Sequence, residues 1–245
     1  AGISNAPEAV LWESSGELTK MGFGYTEVYR EHPEAFALDP VHLPLTTNEF
    51  NFHCAGGMPG ILDDYLPDAW GRKVLAQLAF YRDQRKLDRN SAIDVISHLS
   101  HSRIGAIQWT LVGEKPDYSP GCDIQYIEQA ETAAQSVDNP ESLSEHIDEV
   151  SLLYLANAGT GVGGARPKAL VHENNIPYLA KFNRRNLDPY NNAKVEQACL
   201  LMAKAAGLHV SQGKTQSGVN ERDVLLLDRF DVIKTDNHET RQHLI

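Results

Sequence analysis

Disulfide chemistry has little to work with in this chain, whose 245 residues hold three cysteines: Cys54, Cys122 and Cys199. No CxxC spacing joins them, which excludes a disulfide framework and fits a reducing cytoplasm. Long apolar runs are also missing. No segment approaches the length of a membrane span, and no signal-peptide pattern opens the sequence, so a cytoplasmic protein without a membrane partner is expected. Basic charge is scarce: 22 Lys and Arg stand against 33 Asp and Glu, for a formal net charge of −11. Phosphate neutralisation needs a basic face, so direct nucleic-acid binding is not expected, while DNA reached through a basic partner stays open. Metal-ligand spacing is absent as well. His98 and His101 lie three apart near a helix end, His53-Cys54 is distant, and no third ligand completes a zinc pattern. No metal site is predicted, and no internal repeat is found. What remains is an ordinary globular composition, 42% hydrophobic and 22% charged, long enough for one large domain or two small ones.

Positive charge is concentrated in one place. From Gly159 to Phe182 the sequence reads GTGVGGARPKALVHENNIPYLAKF, with glycines at 159, 161, 163 and 164. Glycine backbones approach a ligand with no Cβ in the way. Arg166, Lys168, Lys181, Arg184 and Arg185 follow, with Glu173 the one acid among them. Backbone donors beside fixed positive charge suit phosphate.

Several motifs compete for this stretch. The P-loop pattern fails, because Gly164 is followed by Ala165-Arg166 and not by Lys-Ser/Thr. The pattern GxGxxG is met by Gly159, Gly161 and Gly164, but a dinucleotide fold needs a strand before it and a helix after it. Here the apolar spacing of Leu143, Ile147, Val150, Leu153 and Tyr154 predicts a helix before it. Afterwards Lys168 to His172, a Glu-Asn-Asn turn and Ile176 to Phe182 predict a hairpin, and Pro167 opposes a helix. Glycine loop, strand, turn and a lysine-bearing strand match the phosphate-covering hairpin of protein kinases. A glycine-rich surface turn with scattered basic residues is the plain alternative. Alternation places Tyr178, Ala180 and Phe182 on one face and Leu179 with Lys181 on the other.

Beyond the hairpin, Asp188-Pro189 reads as the N-cap and first position of a helix running through Asn192 to Gly207. Val195, Cys199, Met202 and Ala206 form its apolar stripe, and Gly207-Leu208 suits a left-handed cap with an apolar anchor. Glu196 sits beside that stripe, where a kinase needs a glutamate to hold the strand lysine; a solvated surface carboxylate is the alternative. Asp223 to Asp231, DVLLLDRFD, predicts a buried strand ending in a polar cluster, placed where a kinase hinge would lie.

The front half gives a mobile terminus over Ala1 to Ala6, then short strands from Val10 to Tyr29 around turns at Ser14-Ser15-Gly16 and Gly22/Gly24. Phe50 to Gly60 reads as a glycine-rich connector. Asp68 caps a helix from Ala69 to about Arg82 whose apolar face is Trp70, Val74, Leu75, Leu78 and Tyr81, and a second helix runs from Ser91 to about Ser100. Capping accounts for Asp68, so the carboxylates Asp63, Asp64 and Asp68 receive no chemistry. Glu114 to Gly121 reads as a linker, and Asp117 to Glu149 holds acids with no Lys or Arg. That stretch is either a solvated helical face or a surface for a basic partner, with Glu128, Glu131 and Glu145 as its charges.

Together GGARPKALV, LAKF, the helix carrying Val195-Glu196, and LLLDRFD resemble the HipA family of serine/threonine kinase toxins from bacterial toxin–antitoxin pairs. GILDDYLPDAWGR from Gly60 to Arg72 is similar to that family's N-terminal signature, and Arg103 to Trp109 to the segment closing that domain. The resemblance implies an α+β chain: a small N-terminal subdomain (1–113), a linker and acidic helical segment (114–150), and a kinase-like N-lobe of antiparallel sheet with one packed helix (151–245). It implies ATP and Mg²⁺ as cofactors. Val162, Gly163, Gly164, Ala165, Arg166, Pro167 and Lys168 would wrap the phosphates, Lys181 would bind them, and Glu196 would orient Lys181. The backbone of Asp228, Arg229 and Phe230 would meet adenine. The family's catalytic and magnesium-holding aspartates follow the RFD segment in a helical lobe, beyond Ile245, so negligible phosphate transfer is expected from this chain alone. Asp236, His238 and His243 are read as a polar tail with no element to position them. Where the family carries an autophosphorylated serine, this sequence has Gly161. Implied partners are a protein substrate and an antitoxin-like DNA-binding protein, and apolar surface exposed where the helical lobe would dock leads to an expected homodimer. A HipA-like interaction module without transfer is the main alternative, and a dinucleotide-dependent oxidoreductase a remote one.

Overall fold

The computed structural model describes residues 9–14, 20–53, 60–88, 91–99, 102–110, 114, 121–138, 149–162, 164–184, 187–219, 222–235 and 238–242. Three strands, β1 (Ala9–Ser14), β2 (Lys20–Tyr25) and β3 (Phe50–His53), form an antiparallel sheet in that order. Gly22 and Gly24, expected in a turn, lie inside β2 opposite Trp12 and Val10. Pairing of Gly22 on both sides, with Trp12 and Asn51, and of Gly24 with Val10 outweighs glycine's weak strand preference there. The start of the expected connector is likewise β3, held by the register Phe23↔Phe50. This part of the chain also holds the short helices α1 (Glu27–Arg30), α2 (Gly60–Asp63) and α4 (Ala92–Ser97) and a longer α3 (Ala69–Asp83). The Ser91 hydroxyl accepts the Asp94 N–H and starts α4 one residue later than the sequence suggests.

The second unit is a five-stranded sheet in the order β4-β5-β6-β8-β7, built from β4 (Cys122–Asp123), β5 (Lys168–Glu173), β6 (Ile176–Lys181), β7 (Gly213–Ser217) and β8 (Asp223–Asp228). It is antiparallel except for the β4–β5 pair. The β5–β6 turn is Asn174-Asn175, with φ of 50° and 63°. Asparagine tolerates this left-handed pair, which matches the right-handed twist of the strands. Helices α5 (Ile127–Asp138) and α6 (Glu149–Gly159) precede the hairpin, and α7 (Asn192–Ala205) follows it. The chain is thus mixed α+β.

More than one helix covers the sheet. Leu179, Leu225 and Leu227 meet Ala193 and Leu200 of α7 on one face. The other face (Ala169, Val171, Tyr178, Ala180, Val224 and Leu226) packs on Ile127, Ala130 and Ala134 of α5, and on Leu152, Leu155 and Ala156 of α6. Trp70, Val74 and Leu78 of α3 join that same core. Leu75 and Ala79, on the other side of α3, enter the core of the first sheet with Met21, Phe23 and Leu43. The apolar residues of α3 therefore serve two cores, not the single face its sequence suggests. Each fully buried leucine contributes roughly 2 kcal/mol by removal from water.

The last segment is not a bare tail. β9 (Val232–Thr235) and β10 (His238–Arg241) form a hairpin, with Val232 paired to Arg241. The β-branched residues Val232, Ile233 and Thr235 are the strand signal that the flanking polar residues obscured. Asp236 and His243 lie outside the described residues.

Candidate functional site

The site is assembled where α6 ends, because the chain leaves that helix through Thr160-Gly161-Val162 and re-enters β5 at Lys168. Helix before and strand after is the reverse of a dinucleotide fold, and this order removes the oxidoreductase reading. Gly163 lies outside the described residues. Thr160 is buried and its hydroxyl donates to the Ala156 carbonyl at 2.8 Å, closing the helix end. Gly161 has no room for a side chain: a Cβ there would stand 2.0 Å from the Ser102 carbonyl oxygen. Its own carbonyl accepts the Ile104 N–H at 3.2 Å. Val162 is buried, Ala165 is exposed, and the buried Pro167 offers its carbonyl to the Phe182 N–H.

Lys168 and Lys181 are direct partners in the β5–β6 ladder, so their side chains leave the same face of the sheet. Like charges directly opposite each other destabilise a sheet. Each has an acid to answer it. Lys181 Nζ lies 2.5 Å from Glu196 Oε1 of α7. Lys168 is buried against the loop: a Cβ on Gly164, whose φ is +109°, would stand 2.2 Å from its Nζ. Burial lowers the Lys168 pKa, Lys181 and Arg166 lower it further, and Asp68 works in the opposite sense. The sequence assigned Asp68 to capping alone. It occupies the N-cap of α3, yet its side chain makes no cap bond, and Oδ2 accepts the Gly164 N–H instead. A cap bond is worth about 1 kcal/mol, which a charged bond to the loop offsets.

Arg166 is tied down on the other side of the loop. Its Nη2 lies 2.5 Å from Asp188 Oδ2, which also takes the Arg184 N–H at 2.7 Å, while Arg184 Nη2 donates to the Ala165 carbonyl at 2.7 Å. Burial opposes ionisation of Asp188, but the Arg184 N–H and the Arg166 guanidinium outweigh it and hold the carboxyl below its usual range. Asp188 therefore does not cap α7. That role falls to Asn191, whose side chain accepts the Lys194 N–H at 3.4 Å. At the other end Gly207, φ +82°, and Leu208 donate to the Lys204 and Ala203 carbonyls, as a left-handed cap requires. Leu208 is exposed, as are Val195, Cys199 and Met202, so the expected stripe faces solvent and Ala193 with Leu200 face the sheet.

The Asp228-Arg229-Phe230 segment closes β8. The Asp228 N–H is held by the Gln212 carbonyl at 2.8 Å, and Phe230 is exposed. Arg229 is buried and gives two bonds to Asp231, at 2.9 and 2.5 Å. Burial disfavours the Asp231 charge, but Arg229 and the Gly105 N–H prevail and lower its pKa. Arg103, also buried, lies over the Tyr65 ring at 4.0 Å and donates to the Tyr65 and Thr160 carbonyls. Burial depresses its pKa from the usual arginine value.

Sequence reasoning thus anticipated the Lys181–Glu196 contact, but missed Asp68, Arg103 and Asp231 as tethers. It also placed Glu131 on an acidic surface. Glu131 is fully buried and accepts the Val219 N–H at 2.8 Å. The signal was present: Ile127, Ala130, Glu131, Ala134 and Val137 follow helical spacing, which puts Glu131 on the inner stripe. Glu128 is exposed, and Glu145 lies outside the described residues. His98 Nδ1 is 2.8 Å from the Asp94 carbonyl, and His101 lies outside the described residues. Among the described residues no helix is long and apolar enough to cross a membrane.

Two family descriptions match the sequence: HipA N-terminal domain over residues 4–110, and HipA-like C-terminal domain over residues 160–245. Among solved structures, the chain is similar to one from a complex described as the Shewanella oneidensis MR-1 toxin–antitoxin system HipA, HipB and its operator DNA. The TM-score is 0.56 at 16% identity, over 95% of this chain and 54% of that one, so the likeness concerns the fold. This chain spans about half the length of that relative. No curated protein matches the sequence.

Proposed function

The chain belongs to the HipA family, and from that premise we propose that it is the nucleotide-holding part of a serine/threonine protein kinase using ATP and Mg²⁺. The observation that carries this reading is the cross-strand pair Lys168 and Lys181 beneath a glycine loop, with Glu196 fixing Lys181. Two ammonium groups on one face of a ladder suit a polyphosphate better than they suit each other. The β5–β6 hairpin and α7 then act as a kinase-like N-lobe. Lys181 binds phosphate oxygens, Glu196 keeps it extended, and Gly164 to Lys168 cover the same oxygens. Backbone groups of Asp228 to Phe230 take the adenine edge. Bound Mg²⁺ would neutralise charge on the phosphates during transfer to a protein hydroxyl.

Calorimetric titration with Mg-ATP tests this. Heat of binding is expected from the unmodified chain and its loss from Lys181→Ala; equal heats, or none from either, would overturn the assignment.

The partner is proposed to be an antitoxin-like DNA-binding protein, on the strength of the Shewanella HipA structure being described with HipB and operator DNA. A second reading, a module that binds such a partner without transferring phosphate, is favoured by the exposed Val195, Leu201 and Met202 on α7. It predicts a stable complex with a small basic protein and no phosphate incorporation into any protein. Self-association through the same apolar residues would appear as a concentration-dependent mass in light scattering.

A further inference from the structure

The glycine loop already holds an anion. Asp68 belongs to the segment before α3, yet its Oδ2 accepts the N–H of Gly164, 96 residues away in sequence. Gly164 adopts a left-handed φ of +109°, and the Lys168 ammonium fills the space where a Cβ on that residue would stand. Burial, Lys181 and Arg166 oppose the charge on Lys168, while Asp68 and, more weakly, Glu196 favour it. A backbone donor and an ammonium are what the oxygens of a terminal phosphate require.

Asp68 is also placed to be let go. It is exposed, on the rim of a hollow that includes Asp63, Asp64 and Arg72. The turn before it is fixed from behind, since Arg72 Nε donates to the Pro67 carbonyl at 2.8 Å. The carboxylate can therefore rotate away from Gly164 without moving α3. A helix N-terminus awaits it, because Asp68 is already the N-cap residue and lacks only the side-chain bond.

We propose that Asp68 is a displaceable internal anion that competes with nucleotide phosphate for the Gly164 N–H and Lys168. Nucleotide binding then releases one tether of the first domain on the glycine loop, the Asp68–Gly164 bond, while the bond from Ile104 to Gly161 stays. The inference rests on the nucleotide reading of the site. By linkage, whatever draws residues 63–72 away from the loop strengthens nucleotide binding by the same factor with which nucleotide favours that movement.

Mg-ATP titration calorimetry of the unmodified chain, Asp68→Asn, Asp68→Ala and the control Asp64→Asn tests it. Asparagine keeps an acceptor but no charge, and alanine keeps neither. Affinity should rise in that order, by about tenfold for the alanine variant, the worth of one charge-assisted hydrogen bond. Asp64→Asn should stay within about threefold of the unmodified chain, since general removal of negative charge is screened. Equal or weaker binding by both Asp68 variants overturns the proposal and makes Asp68 a support of the loop. Heat from the unmodified chain together with that result leaves the nucleotide reading standing, whereas no heat from any of the four proteins removes both. Melting curves of all four identify an unfolded variant. The Gly164 amide resonance gives a second measurement: with saturating Mg-ATP it should coincide in the unmodified chain and in Asp68→Ala, since phosphate then takes the N–H in both, and resonances that stay as far apart as in the nucleotide-free proteins overturn the competition.

Discussion

Arg229 donates through Nη2 to the carbonyl of Arg103, 126 residues earlier, at 2.7 Å. Arg241 reaches the same oxygen at 2.8 Å, and Asp231 takes the Gly105 N–H at 2.8 Å. One residue further along, the Ile104 N–H donates to Gly161 of the glycine loop. The strip from 102 to 105 therefore joins the end of β8 to the root of the loop. In the proposed site these are the adenine and phosphate ends, so their separation is set by a strip from the first domain.

Asp231→Asn should show the cost of loosening that strip. The substitution keeps the shape but leaves the Arg229 guanidinium, fully buried, without its counter-charge. Breaking a buried pair on one side costs about 3–5 kcal/mol. Urea unfolding should register a loss of this size, and a change below 1 kcal/mol would show that the pair is not a tie. The native pair also has an acid limit. The folded pKa of Asp231 is lowered, so its stabilisation is present above the ordinary carboxylate value and is lost as pH falls through the folded value.

Gly161→Ser tests the other end of the strip. The new Cβ would sit 2.0 Å from the Ser102 carbonyl and 2.8 Å from the Arg103 Cα, both backbone atoms that cannot swing aside. The loop must shift, and the bond from Ile104 to Gly161 is expected to break. Hydrogen exchange at the Ile104 amide should speed up by about tenfold or more, with a stability loss of roughly 2 kcal/mol. Unchanged exchange would mean that the loop accepts a serine here.

The hairpin, α7 and β8 were legible because their signals are local: alternation, an Asn-Asn turn and an apolar run. Lys181 was legible for the same reason, since strand alternation fixes its face; Glu196 was singled out by the kinase-like motif and not by its helix pattern, whose expected apolar stripe faces solvent. Asp68 was not legible. Its sequence neighbours explain it fully as a helix cap, and only the fold brings Gly164 within reach. Arg103 and Asp231 failed similarly, because a buried charge is recognised by its partner and each partner lies far along the chain. The two-sided burial of α3 could not be read from one helix, whose apolar residues look the same whether they serve one core or two.

Glu196→Gln should separate stability from binding. The Lys181–Glu196 pair is about one-third exposed on both sides (34% and 39%), so its net worth to the fold is small. Thermal unfolding without ligand should move by less than about 0.5 kcal/mol. Mg-ATP affinity should fall about tenfold, since Lys181 loses the group that holds it extended. A large drop in stability with unchanged affinity would make the pair a strut and remove it from the proposed site.

Glu131 gives the chain a pH dependence opposite to that of Asp231. Burial raises its pKa from 4.5 to about 7, with Glu128 adding to the rise and the Val219 N–H with Gln135 working against it. Below pH 4.5 the group is protonated in both folded and unfolded chains and the fold bears no penalty. Between 4.5 and about 7 the unfolded chain ionises while the folded one keeps its proton, so stability falls as pH rises through that window. Over about 2.5 pH units the loss amounts to about 3 kcal/mol. Glu131→Gln keeps an acceptor for Val219 and carries no charge in either state. At pH 8 it should therefore be the more stable protein, by up to about 3 kcal/mol, with the difference shrinking toward zero near pH 4.5. Urea midpoints of both proteins from pH 4.5 to 8 measure this directly. Parallel curves across that range would show that Glu131 is ionised throughout, and that the fold carries a buried charge at α5.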